Sequence, residues 1–152
     1  MKTTRRQTLQ HGAAVAGLLA TAGLLPQRAH AWTNAAFDAK SVPDALKAYG
    51  GGAPTESKDV TLTAPDIAEN GAVVPMGVAT TLPNVKHLLV LVEKNPAPLV
   101  AKFDVSEAVD PNFLTRAKMG QSSDVYAVAI TRDGKALFAK KEVKVTLGGC
   151  GG

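Results

Sequence analysis

Asp124-Val125-Tyr126-Ala127-Val128-Ala129-Ile130-Thr131-Arg132-Asp133-Gly134-Lys135-Ala136-Leu137-Phe138-Ala139-Lys140-Lys141-Glu142-Val143-Lys144-Val145-Thr146-Leu147 is the stretch that decides the fold. Two β-rich runs flank Asp133-Gly134. Asp-Gly between such runs predicts a two-residue type I′ hairpin turn, which needs positive φ at its centre. In the second run Val143, Val145 and Leu147 form one face and Glu142, Lys144 and Thr146 the other. That period of two is the signature of a strand with one buried face.

Upstream the same period recurs. Phe113, Thr115, Ala117 and Met119 alternate with Arg116 and Lys118. Leu99, Ala101, Phe103 and Val105 alternate with Lys102 and Asp104. Val74, Met76 and Val78 form another face, and Val60 and Leu62 a further one between Thr61 and Thr63. His87-Leu88-Leu89-Val90-Leu91-Val92 is a continuous run, as a central strand covered on both sides requires. Pro65, Asn70-Gly71 and the Pro96–Pro98 region punctuate these runs as turns. Before them, residues 41–49 read as a helix. Ser41 is its N-cap, Pro43 sits in the first turn and Gly50 closes the C-terminus. Six to seven short strands with Pro/Gly turns indicate an all-β fold, an antiparallel β-sandwich of immunoglobulin-like type with a short N-terminal helix.

The ends of the 152-residue chain read differently. Lys2, Arg5 and Arg6 precede a weakly apolar stretch, residues 13–25, then Pro26 and Ala29-His30-Ala31. The stretch is too short and too rich in Ala and Gly for a membrane anchor. The paired arginines and the small-x-small site predict a twin-arginine export signal over residues 1–31, cleaved after Ala31, and so a periplasmic location. Residues 32–147 form the domain and 148–152 a separate arm. Four of the 17 basic residues lie in the leader with no acid, so residues 32–152 carry 13 basic and 13 acidic side chains. The net charge of +4 therefore belongs to the leader, and gives no support to a nucleic-acid or membrane-surface role. Aromatics, at 5%, are too few for a base-stacking surface.

Residues 32–152 hold one His, His87, and one Cys, Cys150. No zinc, haem or iron–sulfur set is expected from them, and no cofactor or metal is predicted. Neither GxGxxG nor a P-loop is present. Twin-arginine cargo is exported folded, so a signal-less partner subunit, carried across in complex, is the expected reason for this route. The C-terminal Gly148-Gly149-Cys150-Gly151-Gly152 cannot hold a strand and predicts a flexible, thin arm. Five residues span about 17 Å when extended. An unpaired thiol in an oxidising compartment points to intermolecular pairing or a reactive role. Lys140, Lys141 and Lys144 upstream favour the thiolate, and the Gly152 carboxylate opposes it. His87 as a base for Cys150 is the weaker reading; its place on an apolar strand makes it structural, and no catalytic residue is expected. Three rivals stand beside a thiol carrier. One is a ubiquitin-like carrier activated at the Gly152 carboxylate. Another is a structural β-sandwich module dimerising through a Cys150 disulfide. The third is a thiol peroxidase, which needs a resolving thiol that is missing here.

The arm, with Lys141-Glu142-Val143-Lys144-Val145-Thr146 leading into it, resembles the SoxY family, sulfur carriers of the periplasmic thiosulfate-oxidising (Sox) system. Asp66-Ile67-Ala68-Glu69-Asn70-Gly71-Ala72-Val73-Val74-Pro75 and Val92-Glu93-Lys94-Asn95-Pro96 support the likeness. It covers the whole of residues 32–152 and the leader. The resemblance implies an immunoglobulin-like subunit paired with a SoxZ-like partner, with disulfide-linked higher assembly as a further state. It implies that Cys150 holds sulfur intermediates covalently, and that Gly148, Gly149, Gly151 and Gly152 make the arm. It implies transient docking to SoxAX, which joins thiosulfate to the cysteine, to SoxB, which hydrolyses off sulfate, and, where present, to SoxCD.

Overall fold

A computed structural model of the chain describes residues 34–146. The expected export signal with Arg5, Arg6 and Ala31, and the expected arm with Gly148, Gly149, Cys150, Gly151 and Gly152, lie outside the described residues.

Two short helices open the described chain, α1 (Asn34–Phe37) and α2 (Val42–Ala48). α2 begins and ends as its sequence dictates. Ser41 is extended, and its Oγ accepts the Asp44 N–H. Gly50 has φ +74°, donates to Lys47 O, and is followed by Gly51 donating to Leu46 O. These two bonds make a Schellman cap, whose left-handed residue favours glycine. Buried Ala36 ties α1 to the core.

Nine strands follow among the described residues. One sheet has the order β1 (Pro54–Glu56), β9 (Ala136–Val145), β8 (Ser123–Thr131), β5 (Val85–Val92), β6 (Leu99–Asp104). β3 (Ile67–Ala68) pairs further along the same edge of β9. The second sheet is β2 (Val60–Thr63), β4 (Val74–Thr80), β7 (Asn112–Ala117). The expected antiparallel sandwich is present, and β1 and β3 add to β9 in parallel. Both are too short, at three and two residues, to show a period in the sequence.

The burial follows the alternation. Leu88, Val90 and Val92 of β5 face the second sheet, in a core with Met76, Val78, Ala117, Met119, Val125 and Val143. Leu89 and Leu91 point the other way, under the helices, with Ala45, Leu46, Val128 and Ile130. β5 is thus covered twice, which is why its sequence shows no polar face. Each fully buried Leu stabilises the fold by about 1.5–3 kcal/mol relative to exposure.

Two local expectations are corrected. The β8–β9 turn is not type I′, because Gly134 has φ +85° and Asp133 is not in the positive region. Gly134 N–H donates to Thr131 O, Thr131 N–H donates to Lys135 O, and Thr131 Oγ1 hydrogen-bonds Asp133. The loop is therefore three residues long with glycine in the left-handed position. The hydroxyl of Thr131 also accepts the Lys135 N–H, which holds that longer loop closed. The second correction is Leu99. Val90 pairs with Ala101 but Leu91 pairs with Leu99, so Val100 is an extra residue in β6. This bulge turns Leu99 to the helix side, while Ala101 and Phe103 face the sandwich core. One inserted residue exchanges the faces of a strand.

Candidate functional site: the root of the C-terminal arm

β9 runs unbroken from the hairpin to Val145, and its last residues are held on both edges. On one side Lys144 N–H donates to Asp66 O at 2.9 Å, and Thr146 N–H to Ala68 O at 3.1 Å. On the other, β8 has ended, and the Oγ of Ser122 accepts the Val145 N–H at 2.9 Å. Successive N–H groups of a strand point to opposite edges, so these three bonds clamp consecutive residues. Val143 is fully buried beneath them.

A loop seals the clamp. Asn70 Oδ1 accepts the Ala72 N–H at 2.9 Å, an Asx turn that shapes the Asn70-Gly71 segment. Gly71 O accepts the Met119 N–H at 2.7 Å. A Cβ on Gly71 would lie 2.4 Å from Met119 O and 2.8 Å from Val145 Cγ1, so only glycine admits this approach. Lys141 adds a polar tie, its Nζ 2.6 Å from Ala64 O and 2.9 Å from an Asp66 carboxylate oxygen. The chain is thus fixed to the body as far as Thr146. Four residue steps separate Thr146 from Cys150, a covalent reach of at most about 14 Å.

Of the three lysines expected to favour a thiolate, two are engaged on the body. Lys141 faces Asp66, and Lys140 lies 3.2 Å from Asp124, which raises the Lys140 pKa. Lys144 alone of the three has no ion pair among the described residues.

His87 lies in β5 opposite Ile130, which pairs with Ala136 at the start of β9. Ten residues separate Ala136 from Thr146, about 30 Å at ~3.3 Å per residue. The arm cannot bridge that distance, so His87 is not a base for Cys150. It is a buried structural group instead. Its Nδ1 is 2.7 Å from Asp104 Oδ1, and Tyr49 of the helix cap packs on its ring at 5.4 Å. Lys102 Nζ lies 2.7 Å from both Asp104 oxygens and 5.6 Å from the Tyr49 ring centre. Burial holds the His87 pKa below the usual imidazole value, against the opposing pull of Asp104. The hydrogen bond from Lys102 is the main cause of a lowered Asp104 pKa.

No group of three His, Cys, Asp or Glu side chains that could hold a metal occurs among the described residues. No helix among them is long and apolar enough to cross a membrane. The clamp residues Ser122, Ala68 and Gly71 escaped sequence reasoning. Asn70-Gly71 signalled a turn, but nothing local tells that this turn lies against Val145.

The family model described as "Sulfur oxidation protein SoxY" matches residues 45–150, a span that includes the clamp and reaches Cys150. The solved structure of the sulfur carrier protein SoxY from Chlorobium limicola f thiosulfatophilum is similar, with a TM-score of 0.63 and 36% identity. That likeness covers 70% of this chain and 97% of that one. The superoxide reductase (neelaredoxin) of Ignicoccus hospitalis is also similar, with a TM-score of 0.51 over 57% of this chain and 80% of that one. At 16% identity it shares the fold alone. No curated protein matches the chain.

Proposed function

The chain belongs to the SoxY family of sulfur oxidation proteins, and from that premise we propose that it carries thiosulfate-derived sulfur covalently on Cys150. The observation that carries this is the clamp: the family match continues through it to a thiol four residues beyond the last fixed residue. Such a thiol is tethered to a folded body by a covalent link of at most about 14 Å.

The chemistry is then as follows. The thiol of Cys150 and the terminal sulfur of thiosulfate form an S–S bond. One proton leaves and two electrons pass to the haem enzyme SoxAX, giving a cysteine S-thiosulfonate. SoxB transfers the sulfonate to water, releasing sulfate and leaving a sulfane sulfur on Cys150 without redox change. Where SoxCD is present, it withdraws six electrons from that sulfur while water supplies three oxygens. A second hydrolysis then frees sulfate and restores the cysteine. The protein is the carried substrate in each step and not the catalyst.

Covalent attachment keeps the intermediate from diffusing away, and the tether sets its effective concentration at a docked enzyme. Gly148, Gly149, Gly151 and Gly152 keep the arm thin. A SoxZ-like subunit is the constant partner, exported with this chain through the twin-arginine signal to the periplasm. No resident cofactor is needed.

Intact-mass and peptide mass spectrometry of the protein from thiosulfate-supplied cells tests the proposal. A thiosulfonate or sulfane adduct is expected at Cys150, and thiosulfate oxidation is expected to be lost in Cys150→Ser. An unmodified Cys150, or an active Cys150→Ser variant, refutes it.

A further inference from the structure

The chain has five asparagines, Asn34, Asn70, Asn84, Asn95 and Asn112, and only Asn70 is followed by glycine. Ala35, Val85, Pro96 and Phe113 follow the others. That neighbour decides how readily an asparagine side chain reacts with its own backbone, because the nitrogen of the next residue is the nucleophile. A side chain there hinders the approach, and glycine has none.

The fold leaves Asn70 open to this reaction. Asn70 and Ala72 are exposed, in a turn closed by the Val73 N–H donating to Asn70 O at 3.3 Å. No hydrogen bond engages the Gly71 N–H among the described residues. The Ala72 N–H, donating to Asn70 Oδ1 at 2.9 Å, curls the side chain forward over the Gly71 peptide. The same bond draws electron density from Cγ, the carbon under attack. Added backbone length has nowhere to go here. Gly71 O holds the Met119 N–H at 2.7 Å, and a Cβ on Gly71 would lie 2.4 Å from Met119 O and 2.8 Å from Val145 Cγ1.

We propose that Asn70 is a site of spontaneous deamidation, and that its isoaspartyl product loosens the hold on the end of β9. The Gly71 nitrogen bonds to Asn70 Cγ, the Cγ–Nδ2 bond breaks, and the Gly71 proton leaves with Nδ2 as ammonia. A succinimide ring results, and water opens it with no redox change. Opening at Cγ restores the backbone with an aspartyl side chain. Opening at the α-carbonyl reroutes the backbone through Cβ and Cγ, one atom longer. The aspartyl product keeps an oxygen for the Ala72 N–H and leaves Gly71 in place. The isoaspartyl product drives Gly71 against Met119 and Val145, and so parts the loop from β9. The meaning for Cys150 rests on the carrier reading above: the body then holds the root of the tether less firmly.

The test uses the full exported chain as purified, with any co-purifying subunit. It is held folded for days at mildly alkaline pH, which favours loss of the Gly71 proton. Peptide mass spectrometry and labelling by an isoaspartyl methyltransferase read position 70. The mass shift of an amide exchanged for an acid is expected there ahead of the other four asparagines, with isoaspartate as a product. Asn70→Ser is expected to show neither. Hydrogen exchange at Val145 and Thr146 is expected to quicken by about tenfold or more in the isoaspartyl fraction, with Leu89 unchanged and Asn70→Asp like wild type. An amide that persists at position 70 of the folded chain overturns the site. Isoaspartate with unchanged exchange at Val145 overturns the link to β9. Neither readout involves sulfur on Cys150, so failure of the carrier reading leaves both standing.

Discussion

Gly71→Ala is the sharpest probe of the arm root. The added methyl meets a backbone carbonyl, Met119 O, at 2.4 Å and Val145 Cγ1 at 2.8 Å. A side-chain end can swing away, but Met119 O belongs to the segment that bonds Gly71 itself. Relief needs the two backbones to separate by roughly an ångström. Overpacking of that kind costs about 1–3 kcal/mol. The same movement stretches the 2.7 Å bond from Met119 N–H to Gly71 O, a further ~0.5–1.5 kcal/mol. Together they predict about 2–4 kcal/mol of destabilisation. With a urea m-value of about 2 kcal/mol/M, the unfolding midpoint falls by roughly 1–2 M. Far-UV circular dichroism in urea reads it. Gly120→Ala is the matched control, since a Cβ there meets nothing within 4 Å. It is expected to stay within about 0.5 kcal/mol of wild type. A wild-type midpoint for Gly71→Ala, or an equal loss in Gly120→Ala, refutes the close approach.

Three further outcomes follow from the same structure. The His87 pKa is lowered by burial, so as pH falls through about 6.5 the unfolded chain takes up the proton first; stability therefore falls from near pH 7 downward until the folded pKa is passed. NMR titration is expected to show a folded value below 6.5, and Asp104→Asn to lower it further, because Asp104 is what raises it. Leu89→Ala empties a fully buried site under the helices and costs about 2–5 kcal/mol by thermal or urea unfolding, whereas Leu114→Ala, 85% exposed, stays near wild type. Ser122→Ala removes the acceptor of the Val145 N–H, costs about 0.5–1.5 kcal/mol, and speeds hydrogen exchange at Val145 while leaving that of Leu89 in the sheet centre unchanged.

The longer elements were legible in the sequence because each carries its own period. β4, β7 and β9 show it, and β5 shows its absence for the reason its two covered faces give, as does β8. Helix α2 was legible from its caps. What stayed hidden depends on contacts between distant residues. β1 and β3 exist because β9 offers them an edge, not because three or two residues prefer to be extended. Val100 looks like any other β residue, and only its register against Leu91 makes it a bulge. Asp133-Gly134 marked the hairpin correctly, but Thr131 chose the longer loop through its hydroxyl. The site divides in the same way. The thiol and its glycines are local signals. The clamp is assembled from Asp66, Ala68, Gly71 and Ser122, which lie 23 or more residues from the strand residues they hold.

The position of β9 in its sheet also has a mechanical side. β8 binds one edge along its length, and β1 and β3 bind stretches of the other. A tug on the arm reaches the body at Thr146 and runs along the strand axis. The load falls on many ladder bonds at once, in shear, where an edge strand pulled sideways would open them singly, like a zip. A partner that grips Cys150 and lets go late therefore strains the tether before it peels the sheet.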